Sequence, residues 1–195
     1  MSERMRDIHS GVLHSRMWHA AFDAIQFGTV PVVAVLHGAV VGGGLDLAAA
    51  CQIRVAEDSA YFGLPEGQRG IFVGGGGTVR IQRVVGTTVM VDMMLTGRLL
   101  SAAEGMTEHI VRYVEPAGGA LAKARELAAR IAQNTVETNW KIVNVLPRVM
   151  DLSHDDGLFL EQLNSAMARP PEVEQRLREF VEGKARPLVA PKADA

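Results

Sequence analysis

Residues 31–44 read PVVAVLHGAVVGGG and lead into LDLAAA, an apolar run that holds one carboxylate, Asp46. This stretch restricts the fold more than any other. The β-branched run between Pro31 and Gly38 has the length and composition of a buried strand, parallel and covered on both faces. The residues after Gly44 have helical composition. Three consecutive glycines, Gly42, Gly43 and Gly44, therefore sit where a strand hands over to a helix. Glycine weakens the interior of either element, and a lone carboxylate is costly to bury. Both features call for a reason beyond packing.

The rest of the chain fits an α/β reading. Leu13, Met17, Trp18, Phe22 and Ile25 keep helical spacing and predict a helix over 10–27, closed by Gly28 and Pro31, whose apolar side chains face the core more readily than a bound apolar chain. Ile53–Asp58 and the segment SAYFGLPE read as further short strands. A loop, GQRGIFVGGGGT, precedes a helix over 78–85 closed by Gly86, and a second helix ends at Gly97. Ser101 with Glu104 forms a capping box, and VRYVEP is a short strand. Beyond it the spacing is helical, with Leu121, Ala124, Leu127, Ala128 and Ile131 on one face. Val173, Leu177, Phe180 and Val181 make another. Strands alternating with helices and then helices alone predict an α/β core over 1–116, a helical region over 117–186 and a frayed tail over 187–195.

Composition narrows the functional classes. The 195 residues carry a formal net charge of −2, which offers no electrostatic case for nucleic acid or an anionic membrane. No segment is long and apolar enough to predict a membrane span. The start, MSERMRDIHS, lacks the apolar core of a leader, and Cys51 is the single cysteine. A cytoplasmic protein that meets small molecules or other proteins is the expectation.

Motifs narrow them further. GGGGT lacks the lysine of a phosphate-binding P-loop, neither glycine cluster has the dinucleotide pattern, and GxSxG is absent. His9, His14 and His19 are five residues apart, which splays them around a helix, and no HExxH or CxxC occurs, so no metal site is expected. Arg69, Arg80, Arg83 and Lys141 read as solvated surface cations more readily than as phosphate ligands. The glycine junction has two readings, tight strand-to-helix packing or a backbone N–H aimed at a carbonyl oxygen that gains charge. Asp46 is either a helix-start acid favoured by the dipole or an acid/base group. Glu66, between Pro65 and Gly67, is either a solvated loop residue or a second such group. Two carboxylates in one apolar cleft have one pKa pushed upward.

Taken together, residues 31–86 resemble the central segment of the crotonase superfamily, the enoyl-CoA hydratase/isomerase family. The strand, the GGG junction with an acid three residues after Gly43, the F-x-x-P-E element ending at Glu66, and the GGGGT loop occur in the family's order. The likeness continues through LTGRLLSAAEG and is more diffuse in the C-terminal helices. It implies a ββα spiral core with a helical C-terminal extension that trimerises and caps the site. It also implies that Gly43 donates an N–H to the thioester oxygen, that Asp46 and Glu66 are the catalytic carboxylates, and that Gly42 and Gly74 line the substrate site. The implied reaction adds water across an α,β-unsaturated acyl-CoA thioester. No metal or redox cofactor is needed, coenzyme A being part of the substrate, and the expected assembly is a homotrimer or a dimer of trimers.

Three departures accompany the likeness. Asp46 stands where hydratases carry glutamate, which favours isomerisation or another coenzyme A hydrolase or lyase reaction through Glu66 alone as the alternative. The strands that open the family domain, with the second oxyanion donor, have no counterpart before Pro31, so the core is expected to be incomplete at the N-terminus and a non-catalytic scaffold is a further alternative. His109 occupies a helix-end position where the family has glycine, and Val73 stands where it has proline.

Overall fold

The structure is a computed structural model that describes residues 7–167 and 171–185. Two compact units divide it, the first ending at Pro147 and the second beginning at Arg148. The first unit opens with helix α1 (Ile8–Gln26), capped by the Asp7 carboxylate, which accepts from the His9 and Ser10 N–H groups. Strand β1 (Val33–Leu36) turns through Gly38, at φ 57°, into β2 (Ala39–Val41), and α2 (Gly43–Ala50) follows directly. The same progression repeats with β3 (Ile53–Glu57), β4 (Tyr61–Gly63) and α3 (Gly77–Thr96). Then come β5 (Leu100–Ser101), α4 (Ala102–Thr107) and β6 (Tyr113–Glu115). Helices α5 (Ala120–Ile131) and α6 (Val136–Asn144) end the first unit. Helix α7 (Leu146–Val149) straddles the division, and α8 (His154–Ala166) and α9 (Pro171–Val181) form the second unit.

Each strand–strand–helix turn sends one strand to each of two sheets. The first sheet has the order β1-β3-β6, parallel throughout, with Val33 opposite Ile53 and Val55 opposite Tyr113. The second has the order β2-β4-β5, parallel between β2 and β4 and antiparallel between β4 and β5. This is the spiral expected from the sequence. β1 is parallel and covered on both faces, with Leu36 and Ala34 in the main core and Val33 and Val35 against α5. It is an edge strand, however, and only Leu36 of its four residues is fully buried.

The core lies between the second sheet, α2 and α3, around Leu45, Phe62, Leu64, Ile81 and Met93. A smaller cluster joins Val55 to Ala120, Ala124 and Leu127 of α5. That packing ties α5 to the first unit, so the observed division after Pro147 falls well beyond the boundary expected after residue 116. Leu121, expected on the inner face of α5, is 49% exposed, because Ala120 takes its place. The apolar face of α9 is also exposed within its own unit, Phe180 and Val181 most of all. The expected tail over 187–195 lies outside the described residues.

Two local readings hold closely. α3 runs on through Gly86 with a kink there (φ 79°, ψ 161°) and stops at Gly97, so it comprises the two expected helices end to end. Ser101 and Glu104 make the capping box in full, each side chain taking the other's backbone N–H. His109 is the one non-glycine residue among those described with positive φ, at 67°. An L side chain costs about 1–2 kcal/mol there, part of which a glycine returns through its freer unfolded chain. His109→Gly is therefore expected to stabilise the protein by about 0.5–1 kcal/mol, read as a rise in the denaturation midpoint.

α1 departs from its expected role. Phe22 is its one fully buried apolar residue, whereas Met17 is 66% exposed and Trp18 40%. The helix meets the rest of the unit through Phe22 and a row of polar side chains, described below. Trp18 lies over Phe22 with ring centroids 5.2 Å apart and donates its Nε1–H to His14.

Candidate active site

Asp46 stands in the first turn of α2 and is 3% exposed; Glu66, just after β4 and before a single 3-10 turn at Gly67–Arg69, is 9% exposed. Helix geometry explains the first placement, since an acid near a helix N-terminus meets the positive end of the dipole. Among the described residues, Asp46 Oδ1 and Glu66 Oε2 are the buried side-chain polar atoms that lack a hydrogen-bond partner. Buried polar groups are nearly always paired, so two unpaired carboxylate oxygens from neighbouring elements single out this place.

The glycines form the walls. Gly42 has φ 54° and ψ −121°, a conformation open to glycine, and donates its N–H to the Gly63 carbonyl at 3.0 Å. A side chain at Gly42 would also meet Glu66 Oε1 at 2.8 Å. Gly75 and Gly77 close over Asp46 so tightly that a Cβ on either would collide with its carboxylate oxygens. Gly43 and Gly44 instead face open space. As the first residues of α2 they offer N–H groups that no preceding turn of helix can accept. Gly74 is exposed at the start of the GGGG segment.

The electrostatics follow from this packing. Burial pushes the Asp46 carboxyl up from 3.8 to about 6, and the nearby Glu66 charge adds to the rise. The Gly75 backbone, the Arg80 guanidinium and, least, His19 act in the opposite direction. Asp46 thus keeps its proton to higher pH than an ordinary aspartate does. The structure brings Gly42, Asp46 and Glu66 together and leaves Gly43 open at the same helix start.

Sequence reasoning missed Gly75 and Gly77, whose signal was the unbroken GGGG itself, and misjudged Arg80. Arg80 is 8% exposed, salt-bridged to Asp23 and committed to the protein interior, so it is no surface cation. Lys141 pairs with Glu137 one turn away. Among the described residues, no group of three or more His, Cys, Asp or Glu is arranged to hold a metal ion, and no helix is long and apolar enough to cross a membrane.

Two small sheets wound by repeated strand–strand–helix turns are the architecture of the crotonase fold. The family model for enoyl-CoA hydratase/isomerase matches residues 2–184, and the chain belongs to that family. It is 49% identical to a candidate enoyl-CoA hydratase from Rhodopseudomonas palustris. Their structures agree with a TM-score of 0.89 over 94% of this chain and 71% of that one. An enoyl-CoA hydratase from Bacillus anthracis agrees with a TM-score of 0.83 at 28% identity, over 95% of this chain and 70% of that one. Among curated proteins, the fatty acid oxidation complex subunit alpha of Shewanella baltica is 43% identical over 116 residues, 58% of this chain. The match spans 16% of that protein, and 19% of the corresponding subunit in another Shewanella strain.

Proposed function

We propose that the chain is an enoyl-CoA hydratase-like enzyme that adds water across the double bond of an α,β-unsaturated acyl-CoA thioester, in fatty-acid or related acyl-CoA metabolism. The observation that carries this reading is the buried pair Asp46 and Glu66, each with an unpartnered carboxylate oxygen, beside the open N-terminus of α2. The two carboxylates hold one water between them. One takes a proton from it as its oxygen bonds to Cβ. The π electrons move through Cα to the thioester oxygen, which the Gly43 N–H stabilises as it gains charge, a donor worth about 3–4 kcal/mol in such reactions. The other carboxyl then delivers a proton to Cα, and the enolate collapses to the saturated thioester. Gly42 and Gly74 line the substrate. Coenzyme A enters as part of the substrate, and no further cofactor takes part.

The shorter side chain of Asp46 favours a second reading, in which Glu66 alone moves a proton between Cα and Cγ and the enzyme isomerises β,γ-unsaturated thioesters. The two are separated by giving the purified protein each thioester in turn and following the products by chromatography. The hydratase reading requires a β-hydroxyacyl product. Migration of the double bond with no hydroxyl formed would replace it by the isomerase reading. We also propose a homotrimer or dimer of trimers as the assembly, which light scattering of the purified protein measures.

A further inference from the structure

α3 touches both of the segments that carry the carboxylates. At its first turn Gly77 lies against Asp46 Oδ1. At its last turn the Met94 carbonyl lies against Gly67, the residue after Glu66, so closely that a Cβ there would stand 2.4 Å from the oxygen. The kink at Gly86 bends the helix between these two contacts. One side chain fastens the second of them. Gln68 Nε2 donates to the Thr96 carbonyl at 2.6 Å, which lies at the end of α3 where no further turn of helix can satisfy it. The Gln68 amide packs on Gly97, where any Cβ would overlap it. Thr96 is fixed in its turn, its hydroxyl donating to the Asp92 carbonyl at 2.7 Å and accepting from the Arg98 N–H at 3.1 Å.

We propose that Gln68 is a positioning residue for Glu66, clasping the turn that carries this carboxylate to the end of α3. The proposal rests on the reading of Glu66 as a proton carrier, and extends it to the group that aims it. The Glu66 carbonyl accepts from the Arg69 and Ile71 N–H groups, both at 3.0 Å, so Glu66 moves with the turn. Its carboxylate reaches back to Gly42, where a Cβ would stand 2.8 Å from Oε1. The Gly42 carbonyl in turn accepts the Asp46 N–H at 3.0 Å. A shift of the turn therefore changes the spacing of the two carboxylates directly, and a misplacement of about 1 Å at a reacting centre can cost about a hundredfold in rate. The Gln68 side chain is exposed, and among the described residues its hydrogen bond goes to Thr96 and to no group of the site.

The test is Gln68→Met in the full chain, which keeps an unbranched side chain of similar length and removes the donor. The position is exposed, so the fold survives. Amide hydrogen exchange reads the turn without any substrate. The Arg69 and Ile71 N–H groups are expected to exchange about 3- to 10-fold faster in the variant, the effect of one lost hydrogen bond. Steady-state kinetics with an α,β-unsaturated acyl-CoA reads the carboxylate. There kcat is expected to fall about 3- to 10-fold with KM unchanged. Introduced into Glu66→Gln, the same substitution should cost nothing further, because its effect passes through the carboxylate already removed. Exchange of Arg69 and Ile71 superimposable on that of the unmodified protein overturns the clasp. A loss in the Glu66→Gln background as large as in the unmodified protein overturns its action through Glu66. If exchange quickens but the unmodified protein converts no enoyl thioester, the clasp stands and the proposed function fails.

Discussion

Glu66→Gln is expected to lower the turnover of an α,β-unsaturated acyl-CoA by about 10²–10⁴-fold, the usual loss when one positioned proton carrier is removed. Glutamine fills the same volume and still reaches the space beside Gly42, so binding changes little and the loss falls on kcat. Asp46→Asn should produce a loss of the same order. In the proposed hydration the two carboxylates act on one water, so the double variant should be hardly slower than either single one, as for residues that work as a unit. Steady-state kinetics of the three variants measures this. A double variant slower by the product of the single losses would mean that the residues act independently. An Asp46→Asn enzyme that keeps its rate while Glu66→Gln loses it would assign the chemistry to Glu66 alone.

Asp46→Asn has a second consequence, opposite in sign. The folded protein holds the Asp46 pKa at about 6, against 3.8 for an ordinary aspartate. Between these values the folded state binds more protons than the unfolded state, so this group makes stability fall as pH rises from about 4 to about 6. Above that window the folded state carries the full burden of a buried charge next to Glu66. The asparagine variant has no such burden. It should be more stable than the unmodified protein at pH 7 by on the order of 1–2 kcal/mol, less than the shift alone implies because the asparagine amide must itself find partners in the same buried place. The advantage should shrink as pH falls and vanish below about pH 4. Urea denaturation at several pH values measures it. A variant less stable at pH 7, or a difference constant across pH, would mean that Asp46 is not a strained group in the folded state. Stability surrendered for a charge held at a working site is a common trade in enzymes.

The elements that could be read from the sequence are those set by neighbours along the chain. The capping box at Ser101, the stop at Gly97 and the break at Gly86 each depend on a few consecutive residues, and the structure has all three. The helix face assigned to α1 depended on what lies across from it, which periodicity does not report. Leu13, Met17 and Trp18 keep core spacing yet remain exposed, because α1 meets the unit through Phe22 and through Ser15, Asp23 and Gln26. Arg80 misled for the same reason. A guanidinium is buried only where partners from distant segments satisfy it, and here they lie 54 and 57 positions away. The site itself was half legible. GGG and Asp46 are adjacent in sequence and marked the junction, and the ordered family pattern added Glu66. Neither local spacing nor that pattern disclosed that Gly75 and Gly77 fold back onto the Asp46 carboxylate, a contact between segments about 30 residues apart.

The proposed addition of water by Asp46 and Glu66 is tested by incubating the purified protein with an α,β-unsaturated acyl-CoA in heavy-oxygen water and weighing the product by mass spectrometry. A β-hydroxyacyl-CoA carrying one heavy oxygen is expected from the unmodified protein, and next to none from Glu66→Gln. Unchanged substrate, or a shifted double bond without heavy oxygen, would contradict it.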